Sequence, residues 1–174
     1  MPGKVPQIPF CRSGIEVPIL SPVRRAAFDP TRFQWEGVTA RAYKDDPGSA
    51  RGMAWQGLAR HTLVRSEEAG VTFEVRYFEI APGGFSSLEK HEHVHVVFTA
   101  RGAGQALIGD QVVDLNHLDL VETPPWTPHR WINPGDEPFG FICTVEGKRD
   151  APQPLSDEEW NALLADPRTA PFAH

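Results

Sequence analysis

Glu89-Lys90-His91-Glu92-His93-Val94-His95 sets a carboxylate and three imidazoles at alternate positions, and a fourth imidazole, His129, follows 34 residues after His95. A strand carries its side chains with a period of two, so Glu89, His91, His93 and His95 are expected on one face. On the inner wall of a small barrel those groups would converge beside His129, and convergent imidazoles with a carboxylate are what a divalent transition metal requires. A lone histidine on a strand is most often solvated or satisfied in place. Three at alternate positions favour the metal.

Working outward, the chain reads as many short strands. Seventeen prolines and fifteen glycines are spread as punctuation through 174 residues, enough for one domain with a real core. Strands are expected over 57–65, 71–80, 91–100, 105–108, 111–115, 119–122, 129–133 and 139–145. Between them stand turn signals such as Ala81-Pro82-Gly83-Gly84, Gly109-Asp110 and Asn133-Pro134-Gly135-Asp136. Strands at such spacing predict an all-β sandwich or barrel. Residues 1–50 read as a Pro-rich N-terminal arm with a possible extra strand over 33–38, 51–150 as the barrel, and 151–174 as a C-terminal helix and tail. The helix is expected after Ser156, which forms a capping-box pattern with Glu159, and Pro167 should end it.

The formal net charge of −6 argues against sequence-independent binding to nucleic acid, whose phosphates demand a basic surface. No stretch is long and apolar enough to span a bilayer, and no signal-peptide core is present. Two cysteines, Cys11 and Cys143, without such a signal read as thiols of the cytoplasm.

The residues resemble the cupins. Pro124-Pro125-Trp126-Thr127-Pro128-His129-Arg130-Trp131-Ile132-Asn133 fits the second cupin motif, with Trp126 in the usual glycine slot. The resemblance covers about residues 70–147 and implies a single-domain jelly-roll β-barrel. In the first motif, counting seven back from Gly102 puts His95 where cupins usually carry Glu, with Glu89 and His91 in the two His slots. The implied ligand set is Glu89, His91, His95 and His129. Sliding the frame by two pairs His91 with His93 but puts Val97 in the carboxylate slot, leaving a three-His site. The first frame fills four coordination positions and is preferred. Such a set suits several divalent metals, manganese first and Fe(II) second.

Arg76 to Gly84, Ser87 to His93, Pro124 to His129 and Gly140 to Cys143 further resemble a bacterial cupin subgroup that includes methylthioxylulose 5-phosphate sulfurylases of methylthioadenosine salvage. The resemblance implies a manganese cupin that removes methylthio from a ketose phosphate through a metal-stabilised enediolate. In Phe139-Gly140-Phe141-Ile142-Cys143-Thr144-Val145, alternation puts Cys143 on the inward face, either as inert packing or as the nucleophile that takes the methylthio sulfur. A second thiol such as glutathione would regenerate it. His93 is a candidate acid for the enolate, or else a partner of a ligand. Arg76, Lys90 and Arg130 are the expected phosphate cations. An iron dioxygenase of a small diketone or phenolic compound, in which Cys143 is only core, and a non-catalytic metal- or sugar-binding module are the alternatives. Each takes a small-molecule substrate or ligand, and the Pro-rich arm suggests a homodimer.

Overall fold

A computed structural model describes residues 23–44 and 50–173. Residues 1–22, which hold Cys11 and much of the expected arm, lie outside the described residues. In chain order the strands are β1 (Phe28–Asp29), β2 (Gln34–Trp35), β3 (Arg41–Ala42), β4 (Gln56–Val64), β5 (Phe73–Phe85), β6 (His95–Arg101), β7 (Gly104–Ile108), β8 (Gln111–Leu115), β9 (Leu120–Thr123), β10 (His129–Ile132) and β11 (Phe139–Glu146). The helices are α1 (Ser66–Ala69) and α2 (Asp157–Ala165), with a short 3-10 turn at Ala170–Phe172.

Nine of these strands form one antiparallel sheet. Along it run β8, β7, β10, β5, β11, β6 and β9, while β4 pairs with β5 and carries β3 on its far side. The fold is all-β, a single curled antiparallel sheet, as the sequence leads one to expect. Its curl depends on β5. The first part of β5 pairs with β11, from Phe73 opposite Glu146 to Ile80 opposite Phe139, and its last residue, Phe85, pairs with Ile132 of β10. The strand therefore runs through Ala81-Pro82-Gly83-Gly84, where the sequence predicts a turn between strands. Glycine chemistry explains the difference. Gly83 adopts a φ of +71°, and a Cβ on Gly84 would lie 2.6 Å from the Gln56 carbonyl, so this stretch bends while its neighbour passes close by.

Along β11, Phe139, Phe141, Cys143 and Val145 are buried while Thr144 and Glu146 are exposed, as a half-buried strand requires. Phe141 stacks on Phe78 of β5 with ring centroids 5.4 Å apart and lies 5.1 Å from Trp131 of β10. Each such ring contributes about 1.5–3 kcal/mol by leaving water. A smaller apolar cluster joins Leu88 and Leu107 to Trp160 and Leu163 of α2. That helix starts as its sequence predicts: Ser156 Oγ accepts from the Glu159 amide, and the Glu159 carboxylate accepts from the Ser156 amide. Of the expected strand over 33–38, only Gln34–Trp35 forms, paired with Phe28–Asp29. Among the described residues, no helix is long and apolar enough to cross a membrane.

Candidate metal centre

The stretch read as a continuous strand from 91 is not one. Glu89 makes a single antiparallel bridge to His129, Lys90 bridges to Gln153, the chain bends at Glu92 and His93, and β6 starts only at His95. The period-two reasoning fails locally because side chains and backbone of this segment bond to each other and to a distant segment in place of a sheet neighbour. His91 Nδ1 lies 2.8 Å from the carbonyl of His93, and the Asp150 carboxylate accepts the amides of Glu92 and His93 at 2.8 and 3.3 Å. The rings nevertheless meet.

His91, His95 and His129 each offer a ring nitrogen within 4.8 Å of the other two. A carbonyl only accepts, so the contact to His93 fixes the proton of His91 on Nδ1 and leaves the lone pair on Nε2. The same logic applies to His129, whose Nδ1 donates to the Thr127 carbonyl at 2.9 Å. His91 Nε2 and His95 Nδ1 are both buried with no hydrogen-bond partner. Burial, and then the neighbouring imidazoles, push His91 down to about 4 and hold His95 well below the usual histidine range; burial also lowers His129. Three neutral rings with aimed or orphaned lone pairs fit a divalent transition metal, which binds deprotonated imidazole.

Glu89 is 4% exposed and lines the same cavity. Its carboxylate accepts from Lys44 Nζ and Ser87 Oγ, and from the Tyr43 hydroxyl at 3.3 Å. Burial, then the Glu89 charge, raise the Tyr43 phenol well above its usual range. Neither Tyr43 nor Lys44 was legible in the sequence, since both belong to the segment read as an arm and carry no local signal. His93 lies face to face on His91, ring centroids 3.6 Å apart and planes 4° from parallel. Its Nδ1 is 2.7 Å from Asp150, and the two rings with Asp150 form a second close group of donors. Against the cost of partial desolvation, hydrogen bonds from the His93 ring and two backbone amides hold the Asp150 carboxyl down to about 2.

Tyr43, Lys44, Glu89, His91, His93 and His95 open on a cavity of about 440 Å³, which Cys143, Arg60, Arg76, Trp131 and Arg149 also line. Burial pushes the Cys143 thiol up to about 12, while the guanidiniums of Arg76 and Arg149 pull it the other way. Two expected phosphate cations are elsewhere. Lys90 pairs with Glu159 at 2.7 Å, and Arg130 is buried with Nη1 on the Phe172 carbonyl at 3.1 Å. Trp126, in the slot where cupins usually carry glycine, has a φ of +57° and donates its amide to the His91 carbonyl at 2.7 Å. A left-handed tryptophan is strained, and the hydrogen bond that joins the loop before His129 to the loop that carries His91 offsets that strain.

A curled antiparallel sheet that gathers imidazoles from the β5–β6 connection and from β10 is a cupin, and the chain belongs to the cupin family: the family's Cupin domain model matches residues 76–145. Within it, the chain is similar to the 1-methylthio-D-xylulose 5-phosphate methylsulfurylase of Rhodospirillum rubrum, 39% identical over 142 residues that cover 82% of this chain and 87% of that protein. The crystal structure of a cupin 2 conserved barrel domain protein from Rhodopseudomonas palustris matches with a TM-score of 0.74 at 36% identity, covering 86% of this chain and 98% of that one. A weaker likeness, 26% over 108 residues, links it to a 1-hydroxy-2-naphthoate 1,2-dioxygenase of Nocardioides sp. strain KP7, covering 60% of this chain and 27% of that protein.

Proposed function

We propose that the protein is a divalent-metal-dependent enzyme that removes methylthio from 1-methylthioxylulose 5-phosphate to give 1-deoxyxylulose 5-phosphate. The observation that carries this reading is a cluster of three neutral imidazoles, two of which, His91 and His95, line one cavity with a buried thiol, in a chain 39% identical to a protein of that name. His91, His95 and His129 would hold the ion, with Glu89 as fourth donor in exchange for its bonds to Lys44 and Ser87. Manganese is the first choice and Fe(II) the second. When bound, the ion supplies Lewis acidity toward a ketone oxygen and its neighbouring hydroxyl.

Cys143 takes the methylthio sulfur. Its thiolate attacks that sulfur, the bond from sulfur to C1 breaks, and the electron pair leaves with the carbon as an enolate. The enzyme is left with a mixed methyl disulfide. His93, held by Asp150, delivers the proton that converts the enolate to the methyl ketone. Glutathione or another thiol then attacks the mixed disulfide, releasing Cys143 as a thiol and leaving with the methylthio group as its own methyl disulfide, so that one external thiol and the thioether sulfur end joined as a disulfide while C1 is reduced. Thiolate formation is the demanding step in so buried a place, and the positive charge of Arg76 and Arg149 favours it. A homodimer belongs to the same proposal, with the exposed apolar side chains Phe98 and Leu120 on the paired strands β6 and β9 as surface for it.

The test is anaerobic turnover with glutathione, using protein whose metal content has been measured as purified. Product formation without oxygen, lost in Cys143→Ser while the metal stays bound, supports the reading. A methylthio adduct on Cys143 trapped without glutathione supports it directly. The likeness to a dioxygenase favours a second reading, in which the same imidazoles serve an iron oxygenase and Cys143 is core. Oxygen uptake that survives Cys143→Ser, with no anaerobic turnover, would establish that one instead.

A further inference from the structure

The inner face of the sheet carries more positive charge than its apolar neighbours lead one to expect. Arg76 on β5 pairs with Cys143 on β11, which pairs with Val97 on β6, two residues beyond His95. Arg60 on β4 stands opposite Phe78 and lines the same cavity. Arg76 is only 7% exposed. It gives Nε and Nη2 to one oxygen of Glu74, at 3.0 and 2.7 Å, and Arg149 gives Nη1 to that same oxygen at 3.1 Å. Two guanidiniums share one carboxylate, so among the described residues one of the two positive charges has no carboxylate of its own.

Donors are in surplus as well. Among the described residues, Arg76 Nη1 and the Nε and Nη2 of Arg149 have no hydrogen-bond acceptor, and none of these atoms is sealed from the cavity or solvent. A guanidinium buried at such cost is retained where an anion comes to meet it, and its planar fork matches phosphate oxygens. At about 4.8 Å per strand and 3.4 Å per residue, the backbones at Arg76 and His95 are separated by about 12 Å. Long side chains reach inward from both points, leaving room for a short carbon chain between them.

We propose that Arg76 and Arg149, held side by side by Glu74, are the docking point for the phosphomonoester end of the substrate, so that its carbonyl end reaches the imidazole cluster. This subsite deepens the function proposed above and rests on it for the identity of the sugar. It replaces Lys90 and Arg130 as phosphate cations, and Arg149 reaches it from the segment after β11, which the sequence reading had left outside the site.

The decisive measurement is calorimetric binding of xylulose 5-phosphate, which lacks the methylthio group, and of xylulose, to metal-loaded protein. Wild type is expected to bind the phosphate ester about 10- to 100-fold more tightly than the free sugar, the range for hydrogen bonds to charged groups. Arg149→Gln should remove most of that advantage and leave xylulose binding unchanged; Arg149→Lys should keep part of it. Arg149 is partly exposed, and unchanged metal content and melting temperature would confirm an intact fold. Equal binding of both sugars by wild type, or an advantage that survives Arg149→Gln, overturns the subsite. Arg149-dependent binding of xylulose 5-phosphate in a protein that never turns over the methylthio sugar would keep the subsite and refute the proposed reaction.

Discussion

Along the inner face of β11, Phe139 and Phe141 sit among Ile80, Phe78 and Trp131, whereas Cys143, one step further along the same face, stands opposite Arg76 and opens on the imidazole cavity. The first half is packed as an organic crystal is packed and contributes stability. The second buries a guanidinium and a carboxylate, whose desolvation their ion pairs offset in part, and rings whose nitrogens have no partner, which cost free energy until a ligand satisfies them. One strand thus serves both demands. The apolar end makes the polar end affordable, and substitutions at the two ends should behave in opposite ways.

The sharpest contrast is expected at His95. His95→Leu should lose the metal and lower turnover by about a thousandfold or more, the scale of several kcal/mol of Lewis-acid stabilisation. The melting temperature of the metal-free variant should stay level or rise, because a buried nitrogen without a partner has been removed. A clear fall would break the comparison. Phe141→Ala should do the reverse, costing about 3–5 kcal/mol in denaturant unfolding while the remaining folded fraction still binds metal. Asp150→Asn lies between the two. Losing the carboxylate that holds the His93 ring and two loop amides should weaken metal binding or activity by about 10- to 100-fold with little change in unfolding free energy.

A last contrast concerns acid. His91 is neutral in the folded protein down to about 4, whereas an unfolded chain protonates it near 6.5. Between those values the unfolded state binds more protons, so the metal-free protein should lose stability as the pH falls from about 6.5 toward about 4, with no further loss from this ring below that. Melting curves across that range check the sign. His91→Leu should flatten the slope, and Phe141→Leu should leave it alone.

The apolar end was the more legible of the two. Alternation along Phe139 to Val145 and the Ser156 capping box are local signals, and local physics settled them. His129 and the cluster of histidines were visible too, as was the cupin pattern around them. The rest of the cavity wall was not. Lys44 and Tyr43 come from the segment read as an arm, Arg149 and Asp150 from the end of the barrel segment beyond its last expected strand, and nothing in their own neighbourhoods marks them. Even His91 and His93 reach the cavity by a bend, not a strand, because the loop bonds to Asp150, about sixty residues ahead in the chain. Lys90 and Arg130, basic and close to the motifs, point elsewhere because α2 and the C-terminal turn claim them.

That long-range attachment bears on biosynthesis. Lys90 is tied by backbone bonds to Gln153 and by an ion pair to Glu159, and His93 is tied to Asp150. A chain emerging from the ribosome can pair its early strands well before these later residues appear, since synthesis proceeds at about 5–20 residues per second. The bend that presents His91 lacks its tethers until then, so the arrangement of rings that a metal would need forms only after Asp150, Gln153 and Glu159 have emerged, later than the strands on either side of it.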